Sequence, residues 1–166
     1  MWHRGRRPDT QSMFVQRSLH IDHPVEAVKA ILAVGPHAWF AHLDGPGETE
    51  VGPHVAGIGL RKKVAVEVGP LVTTGDWTEI PVTWKATFIE KLFPVMTGKV
   101  ELAPVDGRTT KLTVCGMYEP PFGPLGKQVD DAFMHKVAEA TVADLAMSIA
   151  KLIDAAVLAR ADERRS

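Results

Sequence analysis

The sequence predicts an α+β domain: one curved antiparallel sheet of six to seven strands wrapped on a long C-terminal helix, with one or two short helices after the first strand. Three observations predict it. Between residues 60 and 118, short segments alternate apolar and polar residues and are divided by Gly, Pro and Asp breaks, the pattern of a meander with one buried face. From about Leu125 to Ala159 the apolar residues keep a helical period, over roughly 50 Å at 1.5 Å per residue. A sheet with a single apolar face needs a cover, and this helix is the only element long enough to supply one.

The elements follow in order. Residues 12–21, SMFVQRSLHI, put Met13, Val15, Leu19 and Ile21 on one face of a first strand, with Arg17 the only interruption. DHPVEAVKAILAV then starts a helix, with Pro24 at its first position, Glu26 at the positive end of its dipole and Val25, Val28, Ile31 and Leu32 as its apolar stripe. Gly35 and Pro36 end it, and HAWFAHL is a second short helical candidate. Residues 44–59 are so rich in Gly and Pro that a mobile loop, forming a rim or gate, is expected there.

The predicted strands of the meander are 60–68, 71–80, 82–90, 95–103 and 109–118, with turns at the GP of 69–70, at Pro81, at KLFP and at PVDGR. Alternation turns Leu60, Val64, Val66 and Val68 inward, then Val82, Trp84, Ala86 and Phe88, then Met96, Gly98, Val100 and Leu102, then Leu112, Val114, Gly116 and Tyr118. On the long helix the inward arc is Met134, Ala138, Thr141, Leu145, Ile149, Leu152 and Ala156. Small residues on that arc, with Ser148, fill less space than Leu or Phe would and predict room beneath the helix.

Composition bounds the function. A chain of 166 residues, 45% of them hydrophobic, is one domain with a substantial core. Its division is read as a flexible basic tail at 1–11, a single domain at 12–160 and a flexible tail at 161–166. A formal charge of -1, from 19 basic and 20 acidic residues, gives no electrostatic footprint for nucleic acid. No stretch approaches the roughly 20 apolar residues of a membrane span, and no apolar run of a secretory signal follows the basic start. A single cysteine, Cys115, forms no internal disulfide, so a reducing cytoplasm is expected. The partner expected is a small hydrophobic ligand, with no nucleic acid and no integral membrane association; a homodimer is left open.

HIDHPVEAVKAIL, where a strand hands over through Pro24 to the first helix, and YEPPFGPLGKQVDDAF, entering the long helix, carry a family resemblance. With the element order, they resemble the helix-grip fold of the START/birch-allergen-like (SRPBCC) superfamily, including its polyketide cyclase/dehydrase-like members, over about residues 12–158. The resemblance implies a curved sheet gripping the helix, with a cavity between them for lipids, polyketides or other apolar molecules. It carries over no catalytic residue.

The candidate ligand-binding residues are Trp84, Phe88, Met96, Val100, Tyr118, Met134, Ala138, Thr141, Leu145 and Ser148: an apolar wall with a few polar groups. Each also reads as ordinary core, and the hydroxyls of Thr141 and Ser148 also read as bonded to the preceding helical turn. Asp130, as a base if desolvated, and Tyr118, as a proton donor or a group that orients a ligand, are the candidate catalytic residues; the alternatives are a first-turn dipole partner for Asp130 and a plug at the cavity end for Tyr118. His20 with His23 and His37 with His42 lack the spacing that aims two imidazoles at one ion, so no metal and no cofactor are expected. His135 falls off the inward arc. Three functions remain open at this point: a binding module for an apolar molecule, an enzyme of the polyketide cyclase/dehydratase type acting on an apolar carbonyl compound, and a protein-interaction module.

Overall fold

A computed structural model describes residues 12–34, 48–51, 54–55, 58–59, 62–86, 95–119 and 131–165. In chain order these form β1 (Met13–Ile21), α1 (Val25–Leu32), β2 (Glu48–Val51), β3 (His54–Val55), β4 (Ile58–Gly59), β5 (Lys62–Val68), β6 (Val72–Thr74), β7 (Trp77–Ala86), β8 (Met96–Pro104), β9 (Thr110–Tyr118) and α2 (Asp131–Glu163). Seven strands make one antiparallel sheet in the order β1-β9-β8-β7-β5-β2, with β6 also on β7, while β3 and β4 pair separately. The 33-residue α2 packs on β1 and β9 at one end of that order and also meets β2 at the other. Both ends of one sheet reach the same helix only if the sheet curves around it.

Register places the apolar residues in rows across the concave face. Trp84, Met96, Tyr118 and Met13 form one row; Val82, Gly98, Gly116 and Val15 the next; Ile80, Val100 and Val114 a third, ending on exposed Arg17 at the edge. Thr78, Leu102, Leu112 and Leu19 make the fourth. The aliphatic side chains of the inner rows and of α2 share one hydrophobic core with Val28, Ile31 and Leu32 of α1. On the opposite face Lys99 bridges Glu79 and Glu101, each at 2.8 Å, and its ammonium is held well above the ordinary lysine range by Glu101 first and Glu79 second.

The middle of the sheet depends on two cross-paired glycines. A Cβ at Gly98 would overlap the carbonyl oxygen of Cys115 on the neighbouring strand, so no side chain fits there. At Gly116 a Cβ would stand 3.0 Å from Cη2 of Trp84 and 3.2 Å from Cε of Met96. Glycine lets both side chains lie against the strand.

Several sequence expectations need correction. The Gly/Pro-rich stretch 44–59 is not simply a loop: β2 pairs with β5, and β3 with β4, because ladder hydrogen bonds come from backbone and tolerate glycine at the flanks. The break expected at Pro81 is absent. Strand β7 runs through it, and the expected strand 71–80 is instead β6, a two-residue turn at Gly75–Asp76 and the start of β7, with Gly75 at φ 59°. Pro81 is tolerated because its carbonyl accepts the Gly69 N–H at 2.7 Å, so its missing donor faces the junction where β7 changes partner from β6 to β5. The GP at 69–70 is therefore no hairpin turn; it is part of a bulge between β5 and β6.

Pro24 is the N-cap of α1, extended at φ -58° and ψ 144°, rather than its first helical residue. Helix α2 continues to Glu163, and its buried side is Val137, Ala138, Val142, Leu145, Ala146, Ile149 and Ile153. Thr141, Leu152 and Ala156 are only half-buried and Ser148 is exposed, so the inward arc is turned by about 40° from the expected one at 100° per residue. The turn at 22–24 is fastened to α2 by His23 Nε2 against Asp154 Oδ1 at 2.9 Å, and Arg160 Nη2 donates to the Ala30 carbonyl at 3.4 Å. HAWFAHL, KLFP and Asp130 lie outside the described residues, as does the tail at 1–11.

Gly98→Ala is expected to lower unfolding stability by at least about 2 kcal/mol, because strand separation or backbone distortion must relieve the overlap. Gly107→Ala, with nothing near its Cβ position, should stay within about 0.5 kcal/mol. Urea unfolding midpoints of the two variants check this.

Candidate functional site

Among the described residues, the concave face holds one buried polar side-chain atom whose bonding is unfinished. Trp84 is 3% exposed, and its indole Nε1 is buried with no hydrogen-bond partner among the described residues. Strand β7 sends the side chain inward by alternation, Gly116 gives the ring its bed two strands away, and Met96 closes beside it. A buried N–H without an acceptor costs about 1–3 kcal/mol, and native interiors seldom leave one.

In the same row, at the end of β9, Tyr118 is 2% exposed and its hydroxyl stands 3.4 Å from Nδ1 of His135 on α2. The other ring nitrogen of His135, Nε2, is 3.4 Å from Oε1 of Glu139, one helical turn on. In the tautomer with its proton on Nε2, on the Glu139 side, Nδ1 is the acceptor for the phenolic O–H. The three groups step from the interior outward: Tyr118 is buried, His135 half-buried and Glu139 exposed. Both spacings are long for hydrogen bonds.

Of the expected site residues, the structure brings Trp84, Met96, Val100, Tyr118, Ala138 and Leu145 into one continuous core. Thr141 is at its edge, with its hydroxyl donated to the Val137 carbonyl at 2.7 Å, the bond to the preceding turn. Ser148 is exposed and leaves the inward set. Phe88, Asp130 and the side chain of Met134 lie outside the described residues. His135 and Glu139 were missed. The signal was present: His135 stands seven residues before buried Val142 and four before Glu139, so the correct helix phase turns it inward.

Among the described residues no group of three or more His, Cys, Asp or Glu could hold a metal ion, and no helix is long and apolar enough to cross a membrane. Cys115 lies on the other side of the sheet. It is buried, its Sγ approaches the Lys99 carbonyl at 3.6 Å, and burial first, then the Glu101 charge, pushes its thiol up.

A sheet whose two ends meet one long helix, with a small helix between the first two strands, is an architecture shared with known structures. The fold matches truncated norcoclaurine synthase from Thalictrum flavum with a TM-score of 0.57 at 11% identity, over 89% of this chain and 96% of that one. The chain has a helix-grip fold. Other helix-grip matches are a conserved protein from Geobacillus kaustophilus, with a TM-score of 0.55 at 18% identity over 86% of this chain and 95% of that one, and a protein from Thermus thermophilus, at 0.52 and 18% over 87% and 99%. No family model and no curated protein matches the sequence. At these identities the likeness establishes the helix-grip fold and leaves the chemistry to the residues above.

The raised thiol predicts slow chemistry at Cys115. In native protein at pH 8.5, iodoacetamide should alkylate it at least about tenfold more slowly than in the urea-unfolded chain, since the raised thiol holds less thiolate and its burial restricts access. Equal rates measured by mass spectrometry would contradict the buried geometry.

Proposed function

We propose that the chain binds a small, largely apolar molecule carrying a hydrogen-bond acceptor, on the concave face between β7, β8, β9 and α2. The observation that carries this reading is Trp84 Nε1, a donor enclosed by hydrophobic residues and without a partner among the described residues. A carbonyl or ether oxygen of a ligand satisfies it beside the ring that Gly116 seats against the sheet. Three further features support the reading. Helix α2 lies close to β1, β9 and β2, whereas the described residues of the middle strands β8, β7 and β5 make no comparable backbone approach to it. The buried residues of α2 include Ala138 and Ala146, which project little beyond the helix backbone. The shared fold is one in which a sheet grips a helix around an interior, and one relative bears the name of an enzyme, norcoclaurine synthase.

The binding energy of such a site comes mainly from apolar area, at about 25 cal/mol per Å², and the indole donor supplies orientation and selectivity. A ketone is therefore preferred over a hydrocarbon of the same shape. In the four rows that run from β7 to β1 the one cation, Arg17, is exposed at the sheet edge and does not offset desolvation at the centre, so an extended anion is disfavoured there.

Native mass spectrometry of gently purified protein should show a discrete small-molecule adduct that is lost on denaturation. Calorimetric titration gives a sharper check with two probes of matched shape, 2-acetylnaphthalene and 2-ethylnaphthalene. The ketone should bind more tightly to the wild type, and Trp84→Phe should weaken the ketone by about tenfold while leaving the hydrocarbon within about twofold, the worth of one hydrogen bond. Equal losses for both probes, or no binding of either, would overturn the proposal.

A further inference from the structure

We infer that Tyr118, His135 and Glu139 form a proton relay between the interior and solvent, and that they make the concave face an enolising site for apolar ketones. The inference rests on the binding reading above and adds a reaction to it. Three observations carry it. The phenol is buried in the same inward row as Trp84, so its Cα is two strand spacings, about 10 Å, from that of the indole. The indole itself reaches back over Gly116, two residues before Tyr118 on the same face of β9, which brings ring and phenol toward the same part of the sheet. The phenol is joined at 3.4 Å to an imidazole and through it, at 3.4 Å, to a carboxylate open to water.

The groups divide the work by chemistry. A ketone seated with its oxygen on Trp84 Nε1–H has its α-carbon on the side of Tyr118. The Tyr118 O–H proton passes to His135 Nδ1 as the phenolic oxygen takes a proton from the α-carbon. The C–H pair becomes the C=C bond of the enolate, and the carbonyl pair moves onto the oxygen that the indole N–H holds. Charge balances at each point: the enolate is negative and the imidazolium positive, with Glu139 stabilising the imidazolium through Nε2–H. Reversal returns a proton to carbon, and the site ends as it began. Tyr118 is the catalytic residue because it touches the reacting carbon; His135 and Glu139 act through it as positioning residues. No oxidant, metal or second substrate enters.

The probe for the test is 2-tetralone, an apolar aryl-fused ketone whose α-hydrogens exchange with D2O at a rate read by proton NMR. Its binding is followed separately by saturation-transfer NMR. With wild-type protein, exchange should exceed the buffer rate and saturate with probe concentration. Tyr118→Phe keeps the ring and removes the hydroxyl; it should lower exchange at saturation by about a hundredfold, the scale of an acid–base group, with half-saturation unchanged. His135→Gln keeps an acceptor for the phenol without taking a proton, and should behave alike. Glu139→Gln should cost about three- to tenfold, again in the saturated rate alone. Circular dichroism confirms that each variant is folded. Bound probe exchanging at the buffer rate in the wild type would overturn the relay and leave the binding reading standing. Equal exchange in wild type and Tyr118→Phe would do the same. Absence of probe binding would overturn the binding reading and the relay with it.

Discussion

The approach of β8 to β9 at Gly98 and Gly116 is the constraint on which the interior depends. Where these two residues pair, neither strand has room for a side chain on the concave face: one would overlap backbone, the other would meet the Trp84 ring and the Met96 methyl group. An ordinary pair of apolar residues at this point would fill the middle of the face and hold the indole away from the sheet. The glycines instead create a shallow bed at the centre, and the large side chains of the adjoining row lie into it. The ends of the sheet remain free to turn toward α2, which meets β1, β9 and β2. Close backbone approach to the helix is thus confined to the sheet's ends, and the middle rows meet α2 through side chains in the shared core.

Polar accounting then singles out one residue. The buried threonines are each paired: Thr78 with Thr73 at 3.0 Å, Thr110 with the His23 carbonyl at 2.7 Å, and Thr113 with Ser18 at 2.8 Å. Thr141 bonds the turn before it. Against this background the Trp84 N–H, unpartnered among the described residues, is a specific exception, and exceptions of this kind concentrate where a ligand completes the network. Tyr118 differs in a complementary way. Its hydroxyl is directed at a titratable ring that reaches solvent, so the concave face has a fixed donor and an exchangeable proton in one row.

Much of the fold was legible because strand periodicity is exact. In β8, Met96, Val100 and Leu102 alternate with Thr97, Lys99 and Glu101, a contrast that no other register reproduces, and the observed burial follows it. Pro81 misled because a proline is excluded from a sheet interior only where its missing N–H faces a partner, and here it faces the junction of β5 and β6. Gly75–Asp76 was a readable two-residue turn, overlooked in favour of that proline. Helix phase was harder. Residues 137–153 are apolar around much of the helix, so Val142, Ala146 and Ile153 competed with Thr141, Leu152 and Ala156, and an error of about 40° was enough to expel His135 and admit Ser148. The candidate site was half visible for the same reason: Trp84, Met96 and Tyr118 come from strands, whereas the relay partners come from the helix. No sequence feature announces that Trp84 lacks an acceptor among the described residues, since that depends on what three strands and a helix place beside it.

The most direct test of the account is the indole N–H resonance of Trp84 in nitrogen-15 labelled protein, assigned by its loss in Trp84→Phe. The expected signal is protected from solvent yet at the position of an N–H without an acceptor, moving downfield when an apolar ketone binds and staying in place with the matching hydrocarbon. A signal already at a hydrogen-bonded position in the free protein, or one unmoved by a ketone that demonstrably binds, would contradict the assignment of this donor to a ligand.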